Sequence, residues 1–347
     1  MRKEINVGGV LVGGCAPISV QSMTTSKTDD VAETAAQINR LAKLGCDIIR
    51  VAVPDMAAAD AISDIKERIS IPLVADIHFD HRLAIRAAQK GADKIRLNPG
   101  NIGGYENVRQ VVEICKRKNI PIRIGVNGGS ISKDILLKHG GVTPEAMLES
   151  AMGHIELLNR FDFDDICVSV KASSVPLTVA SYRLMHDATS YPLHLGVTEA
   201  GTEYAGIIKS SAGIGALLLD GIGSTIRVSL TAQPEREVKA AVELLKALGL
   251  RGGFELVSCP TCGRCGVDLI KIANEVEERL EKLTTDTYCS VAVMGCAVNG
   301  PGEASRADYG IAGGNDEGII FKKGQILKKA PMNKLVDELF AAMKEDF

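Results

Sequence analysis

Apolar residues recur along the first two thirds of the chain in short β-rich runs at 18–23, 48–53, 73–78, 94–99, 122–127, 166–171, 193–198 and 225–230. Their starts lie 30, 25, 21, 28, 44, 27 and 32 residues apart, which leaves room each time for a helix and two loops. The stretches between them carry the helical period. In 30–44, Val31, Ala35, Ile38, Leu41 and Ala42 share one face behind Asp30, a capping residue, and Gly45 ends the run. Residues 234–248 repeat the pattern with Pro234 in the first turn. Eight strand–helix units predict a closed (β/α)8 TIM barrel. An open doubly wound sheet is the competitor, and the lack of a Gly-x-Gly-x-x-Gly turn after the first strand speaks against it. The longest interval holds 128–141, which reads as a loop or hairpin before a helix at Pro144.

After Leu248 the rhythm changes. Gly249, Gly252 and Gly253 precede a strand at 254–257, a cysteine motif, a helix near 267–283 and a strand at 289–294. Short strands at 309–312, 318–323 and 325–329 and an amphipathic helix at 332–345 follow. The expected architecture is α/β: a TIM barrel over 1–248 and a smaller α+β domain over 249–347. At the start, Val12-Gly13-Gly14-Cys15 behind Met1-Arg2-Lys3 imitates a lipoprotein signal. Glu4, Asn6 and the glycines interrupt it, so a glycine-turned hairpin is the better reading.

Composition narrows the function. With 46% hydrophobic and 24% charged residues the chain has ample material for a core, which excludes disordered and collagen-like classes. No apolar run approaches the roughly 18 residues of a membrane span. A formal charge of -3 provides no global field to gather nucleic acid, so anion binding must come from locally placed arginines. Nine cysteines, an odd number without an export signal, favour reduced thiols or metal ligands and a cytoplasmic setting. Cys15, Cys46, Cys115 and Cys167 read as small buried hydrophobes. The other five lie between 259 and 296.

Four strands share one phrase: Ile49-Arg50-Val51, Ile95-Arg96-Leu97, Ile122-Arg123-Ile124 and Ile226-Arg227-Val228. Alternation puts Arg96 with Asn98, Arg123 with Gly125 and Asn127, and Arg227 with Ser229 on one face, which in a barrel looks inward. Strand ends add His78, Asn98, Asn127, Lys171, Glu199 and Ser229, where barrel enzymes keep their active-site residues. Buried guanidinium groups need partners, either carboxylates such as Asp47, Asp76 or Glu199, or a ligand. Arginine forks match phosphate oxygens in pairs, so such a bowl suits a doubly phosphorylated small molecule.

In Ser258-Cys259-Pro260-Thr261-Cys262-Gly263-Arg264-Cys265 two thiolates can face one metal centre, and Met294-Gly295-Cys296 brings a further cysteine. Iron-sulfur and zinc are the candidates. Zinc would prefer a second Cys-x2-Cys or a His-x3-His, and neither follows position 262. Cys265 extends the run without the ferredoxin ending. Glu303, across the Asn299-Gly300-Pro301-Gly302 turn from Cys296, reads either as a harder, displaceable ligand or as a surface turn residue.

Further segments carry a resemblance: Pro17-Ile18-Ser19-Val20-Gln21-Ser22-Met23-Thr24, Ala75-Asp76-Ile77-His78-Phe79, Arg96-Leu97-Asn98-Pro99-Gly100-Asn101 and Gly196-Val197-Thr198-Glu199-Ala200-Gly201. With the cysteine segments they make the chain similar, over nearly its whole length, to the bacterial 4-hydroxy-3-methylbut-2-enyl diphosphate synthase family of the methylerythritol phosphate route to isoprenoids. The resemblance implies reductive opening of 2-C-methyl-D-erythritol 2,4-cyclodiphosphate, with loss of water and uptake of two electrons, on one 4Fe-4S cluster per chain. It implies Cys259, Cys262, Cys296 and Glu303 as cluster ligands, with Cys265 departing from the set as a bystander. Arg50, Arg96, Asn98, Arg123, Asn127, Lys171, Arg227 and Ser229 match positions that hold the diphosphate. His78 and Glu199 become polar or proton-handling groups, Glu199 as donor to the leaving hydroxyl. A homodimer that pairs each barrel with its partner's cluster domain, and flavodoxin or ferredoxin as reductant, are implied in the same way. Two rivals stand beside this reading: a zinc-stabilised lyase or aldolase with Lys171 as Schiff-base former, and an iron-sulfur sensor or nucleic-acid binder. The near-neutral charge and absence of basic runs argue against the second.

Overall fold

The computed structural model describes residues 2–346 apart from 264, 284, 286, 297–303, 315 and 345. The chain divides into two compact units, Met1–Leu244 and Leu245–Phe347. The first opens with an antiparallel hairpin of β1 (Glu4–Val7) and β2 (Val10–Gly13), turned at Gly8 and Gly9, which take φ of 55° and 100°. Eight parallel strands follow: β3 (Ser19–Met23), β4 (Ile48–Ala52), β5 (Leu73–Asp76), β6 (Lys94–Leu97), β7 (Ile122–Asn127), β8 (Ile166–Lys171), β9 (His194–Leu195) and β10 (Thr225–Ile226). They pair in the order β8-β7-β6-β5-β4-β3-β10-β9, and a parallel bridge between Val168 and Leu193 joins the two ends. The result is the TIM barrel that the strand spacing predicts.

Its outer layer consists of α1 (Val31–Lys43), α2 (Met56–Lys66), α3 (His81–Gln89), α4 (Tyr105–Lys118), α5 (Lys133–His139), α6 (Pro144–Asn159), α7 (Val175–Ala188), α8 (Glu203–Leu219) and α9 (Pro234–Ala247). Local chemistry sets their ends. Asp30 accepts from the Glu33 amide to start α1, Asp55 from Ala58 to start α2, and Ser174 from Leu177 to start α7. The hairpin packs Ile5, Val7 and Val12 against Ile48, Val74 and Cys167, so one end of the barrel is stopped with apolar side chains. Cys46, Cys115 and Cys167 are buried as expected, whereas Cys15 is exposed, because it follows the hairpin rather than a core element.

Two further expectations need correction. Within 128–141 the chain forms α5 instead of a loop or hairpin. Asp134 near its start and Lys138 and His139 near its end suit the helix dipole, and Gly140 stops it at φ 71°. The seventh and eighth strands keep regular pairing for two residues each; Arg227 N–H still reaches Leu195 O (3.0 Å), and beyond it backbone amides find other acceptors. Thr198 N–H donates to Ala172 O (3.2 Å), Thr231 N–H to Gly201 O (2.9 Å) and Leu230 N–H to a Glu237 carboxylate oxygen (2.8 Å).

The closing seam between β8 and β9 is pinned by Tyr182 of α7. Its buried hydroxyl donates to His194 O (2.5 Å) and accepts from Val170 N–H (3.2 Å), spanning strands that share a single ladder bridge. Tyr182→Phe would strand two buried backbone groups at about 1–3 kcal/mol each. Denaturant unfolding of the variant is expected to show a loss of about 2–4 kcal/mol; an unchanged midpoint would mean that the seam does not depend on this pin.

The second unit is a five-stranded sheet in the order β11 (Gly253–Ser258), β12 (Tyr288–Met294), β13 (Tyr309–Ala312), β14 (Glu317–Lys322), β15 (Gln325–Pro331). The first three strands run parallel, and β14 and β15 are each antiparallel to the strand before. Helices α10 (Leu269–Leu280) and α11 (Leu335–Met343) supply Val276, Leu280, Leu339, Phe340 and Met343 to a core shared with Val291, Val293 and Ile311. Among the described residues no helix is long and apolar enough to cross a membrane.

Candidate active site

The barrel register brings the arginines together. Arg96 stands opposite Arg123, Asp76 opposite Arg96, Met23 opposite Arg50, and Asn127 opposite Lys171 on neighbouring strands. Arg50, Asp76, His78, Arg96, Arg123, Asn127, Ser169, Lys171, Thr198, Arg227 and Ser229 line one cavity of about 170 Å³. One water occupies roughly 30 Å³ of liquid, so the space suits a small polyanion. Of the residues singled out in the sequence, Asn98 and Glu199 lie outside this lining. Asn98 is buried and spends its side-chain oxygen on the Gly100 amide (3.0 Å). Glu199 is exposed, with its backbone in the left-handed region at φ 52°.

Two glycines make room for the cations. A Cβ at Gly125 would sit 2.8 Å from Arg96 Nε, and one at Gly196 would sit 2.4 Å from Lys171 Nζ and 2.7 Å from the Arg227 carbonyl. Asp76 is the central counter-charge: its Oδ1 accepts from Arg96 Nη1 (3.0 Å), and its Oδ2 lies 3.6 Å from Arg50 Nε. Burial works against its charged form, but Arg50 and Arg96 more than offset that, and the carboxyl is held below its ordinary value. His78 Nε2 meets Arg96 Nη1 at 3.2 Å and can only accept there, because a guanidinium has no acceptor. The Met23 thioether takes Arg50 Nε (3.1 Å) and Nη2 (2.8 Å), with Arg227 Nη1 at 3.7 Å. Arg123 reaches across to Gln21 Oε1 (3.3 Å).

The charges do not balance. Among the described residues Asp76 and Glu237 are the carboxylates paired with these arginines, and none pairs with Lys171. Beneath the bowl Lys94 is fully buried with no hydrogen-bond partner for Nζ, and Arg123 Nε, Arg227 Nε and both His194 nitrogens are likewise unpartnered. Burial first, then Arg123, Arg227, Arg50 and Arg96, push the Lys171 ammonium well below its ordinary value; burial brings Lys94 down to about 8. Arginines hold their protons throughout, so the lysines are the groups that yield.

Ser169, Thr198, Met23 and Lys94 were not singled out from the sequence as site residues, and Asp76 was considered only as an ion-pair partner. Strand alternation could have found several: Ser169 shares a face with Lys171, and Lys94 with Arg96. Met23 carried no such signal, since a methionine at a strand end reads as core.

In the second unit Cys259 follows β11 and Cys296 follows β12, adjacent parallel strands, so both reach the same end of the sheet. Gly295 N–H donates to Cys259 Sγ (3.3 Å), and a Cβ at Gly295 would come within 2.5 Å of Cys265 Sγ. Cys265 N–H donates to Cys262 O (2.9 Å), and its thiol donates to Val267 O (3.2 Å). Cys262 is exposed; Cys259, Cys265 and Cys296 are half-buried, and Cys289 is a core residue. Among the described residues no three potential ligands already stand in metal-binding array. Glu303 lies outside the described residues. The donors fit an iron-sulfur centre nonetheless: soft thiolates from two strand ends and an amide directed at the Cys259 sulfur.

Residues 2–242 match the family described as GcpE TIM-barrel domain, and residues 255–345 the GcpE protein C-terminal domain. Relatives in several bacteria bear the name 4-hydroxy-3-methylbut-2-en-1-yl diphosphate synthase (flavodoxin). That of Ruminiclostridium cellulolyticum is 57% identical, covering 99% of this chain and 97% of the relative. That of Caldicellulosiruptor saccharolyticus is 58% identical over 98% and 97%, and that of Bacillus subtilis 56% over 97% and 89%. Among solved structures, dihydropteroate synthase from Stenotrophomonas maltophilia aligns with a TM-score of 0.51 at 12% identity, over 71% of this chain and 97% of that one. That likeness bears on the barrel fold alone.

The lysines would make anion binding by this bowl pH-dependent. An anion in the bowl raises their proton affinity, so binding takes up protons, and affinity falls as pH rises above the depressed value of the empty site. The slope approaches about ten-fold per pH unit for each proton gained. Calorimetry with inorganic pyrophosphate in two buffers of different ionisation enthalpy is expected to show uptake. Lys171→Met should reduce it, and the difference between the proteins cancels the ligand's own titration. Equal uptake by both would show that Lys171 stays charged in the empty bowl.

Proposed function

The chain belongs to the GcpE family, and from that membership we propose that it converts 2-C-methyl-D-erythritol 2,4-cyclodiphosphate to 4-hydroxy-3-methylbut-2-enyl diphosphate, an oxidoreductase step of isoprenoid synthesis. The observation that carries this reading is the convergence of Arg50, Arg96, Arg123, Arg227 and Lys171 on one cavity with too few carboxylates. A cyclic diphosphate supplies the missing negative charge, and the guanidinium forks hold it in a fixed orientation. Asp76 keeps Arg50 and Arg96 aimed while the bowl is empty.

Cys259, Cys262, Cys296 and Glu303 would hold a 4Fe-4S cluster, and Cys265 stays outside the ligand set. When bound, the cluster would relay, one at a time, the two electrons that with two protons open the ring and release water. A reduced flavodoxin, named in the relatives' titles, or a ferredoxin delivers them. Glu199 is suited to give the proton to the departing hydroxyl: it is exposed, and a non-glycine residue held at positive φ is the kind of backbone strain that clusters at functional sites. His78, whose Nε2 accepts from Arg96, takes part in orienting that guanidinium. We infer a cytoplasmic homodimer in which one chain's bowl works with its partner's cluster domain; the family resemblance supports this.

Iron and acid-labile sulfide measured after strictly anaerobic purification test the reading. About four of each per chain are expected for a four-iron cluster. Cys259→Ser, Cys262→Ser and Cys296→Ser should lose the visible absorbance, and Cys265→Ser should keep it. A colourless protein loaded with zinc would contradict the proposal.

A further inference from the structure

Among the described residues Glu237 is one of two carboxylates paired with the bowl's arginines, yet it comes from an outer helix and not from a strand. It sits in the first turn of α9, where the helix dipole favours an acid, and it is buried. Its two oxygens serve three partners. Oε1 accepts from the Leu230 amide (2.8 Å); Oε2 accepts from Ser22 Oγ (3.3 Å) and lies 3.5 Å from Arg227 Nη2. Leu230 directly follows Ser229, which lines the cavity, while Glu237 itself does not.

The backbone explains why such a tie is needed. Regular pairing of β10 ends at Ile226; Arg227 N–H still donates to Leu195 O (3.0 Å), but beyond it Ser229 and Leu230 follow in a segment with little ladder to hold them. A side-chain carboxylate takes the place of the missing ladder acceptor at Leu230. The same group fixes the guanidinium next to it and anchors both to β3 through Ser22.

We propose that Glu237 is a positioning residue that acts through Arg227, holding this fork and the adjoining Ser229 ready for the diphosphate. This rests on the diphosphate reading of the bowl. An aimed guanidinium has lost its rotamer freedom before the ligand arrives, so the cost of ordering it falls on folding and not on binding. Because Glu237 stands outside the cavity lining, removing its charge exposes the ligand to little new attraction. The loss of aim is the larger effect.

The test is a double-mutant cycle on the affinity for inorganic pyrophosphate, with thermal unfolding recorded for every variant. Glu237→Gln is expected to weaken binding at least five-fold in the native background and less than two-fold alongside Arg227→Met. Ser22→Ala, which loosens the same carboxylate, should weaken binding two- to three-fold and also lose its effect beside Arg227→Met. It carries the cycle if Glu237→Gln does not fold. Equal losses in both backgrounds, or tighter binding by Glu237→Gln, would overturn the positioning role. Failure of the native protein to bind pyrophosphate at all would overturn the diphosphate reading instead.

Discussion

Everything in the first unit is arranged around a surplus of positive charge, buried at Arg123 and Lys94 and half-buried at Arg50, Arg96, Arg227 and Lys171. Arg50, Arg96, Arg123, Arg227, Lys171 and Lys94 project into a barrel in which, among the described residues, the carboxylates paired with these arginines are Asp76 and Glu237. A TIM-barrel interior is ordinarily filled with branched apolar side chains, which cost nothing to bury. Cations there raise the free energy of the empty fold, and depressed lysine proton affinity is one way in which that strain shows. An anion bound at a site so disposed would relieve that strain, which would make stability and recognition one electrostatic problem.

The rest of the fold follows from making that arrangement tolerable. Apolar packing is displaced to the outer face of the strands and to the far end, where the hairpin closes over Ile48, Val74 and Cys167. Side chains replace backbone ladders where the strands become short: Tyr182 at the β8–β9 seam, and Glu237 beyond β10. Gly125 and Gly196 leave the volume that Arg96 and Lys171 occupy.

Much of this was legible in the sequence, for identifiable reasons. Strand spacing and the repeated Ile-Arg phrase are local signals, and parallel register turns them into a shared inward face; the barrel and the bowl of arginines follow from them. Glu237 was not legible, because a glutamate in the first turn of a helix is an ordinary feature and its partners, Ser22 and Arg227, come together only in three dimensions. The short ladders of β9 and β10 escaped for the same reason: their apolar pattern continues past the point where backbone amides turn to other acceptors. The α5 segment shows the opposite error, since its glycines and polar residues suggested a loop while a single helical turn pair satisfied its backbone better.

The claim that an anion completes this barrel is tested most directly by thermal unfolding of the whole chain as inorganic pyrophosphate is added at low ionic strength. A ligand bound only by the folded state stabilises by about 2.7 kcal/mol at a hundred times its dissociation constant. The account predicts a midpoint that climbs with pyrophosphate and less so when salt is added, since screening weakens each contact. A midpoint that does not move, or that sodium chloride raises as much as pyrophosphate does, would contradict it.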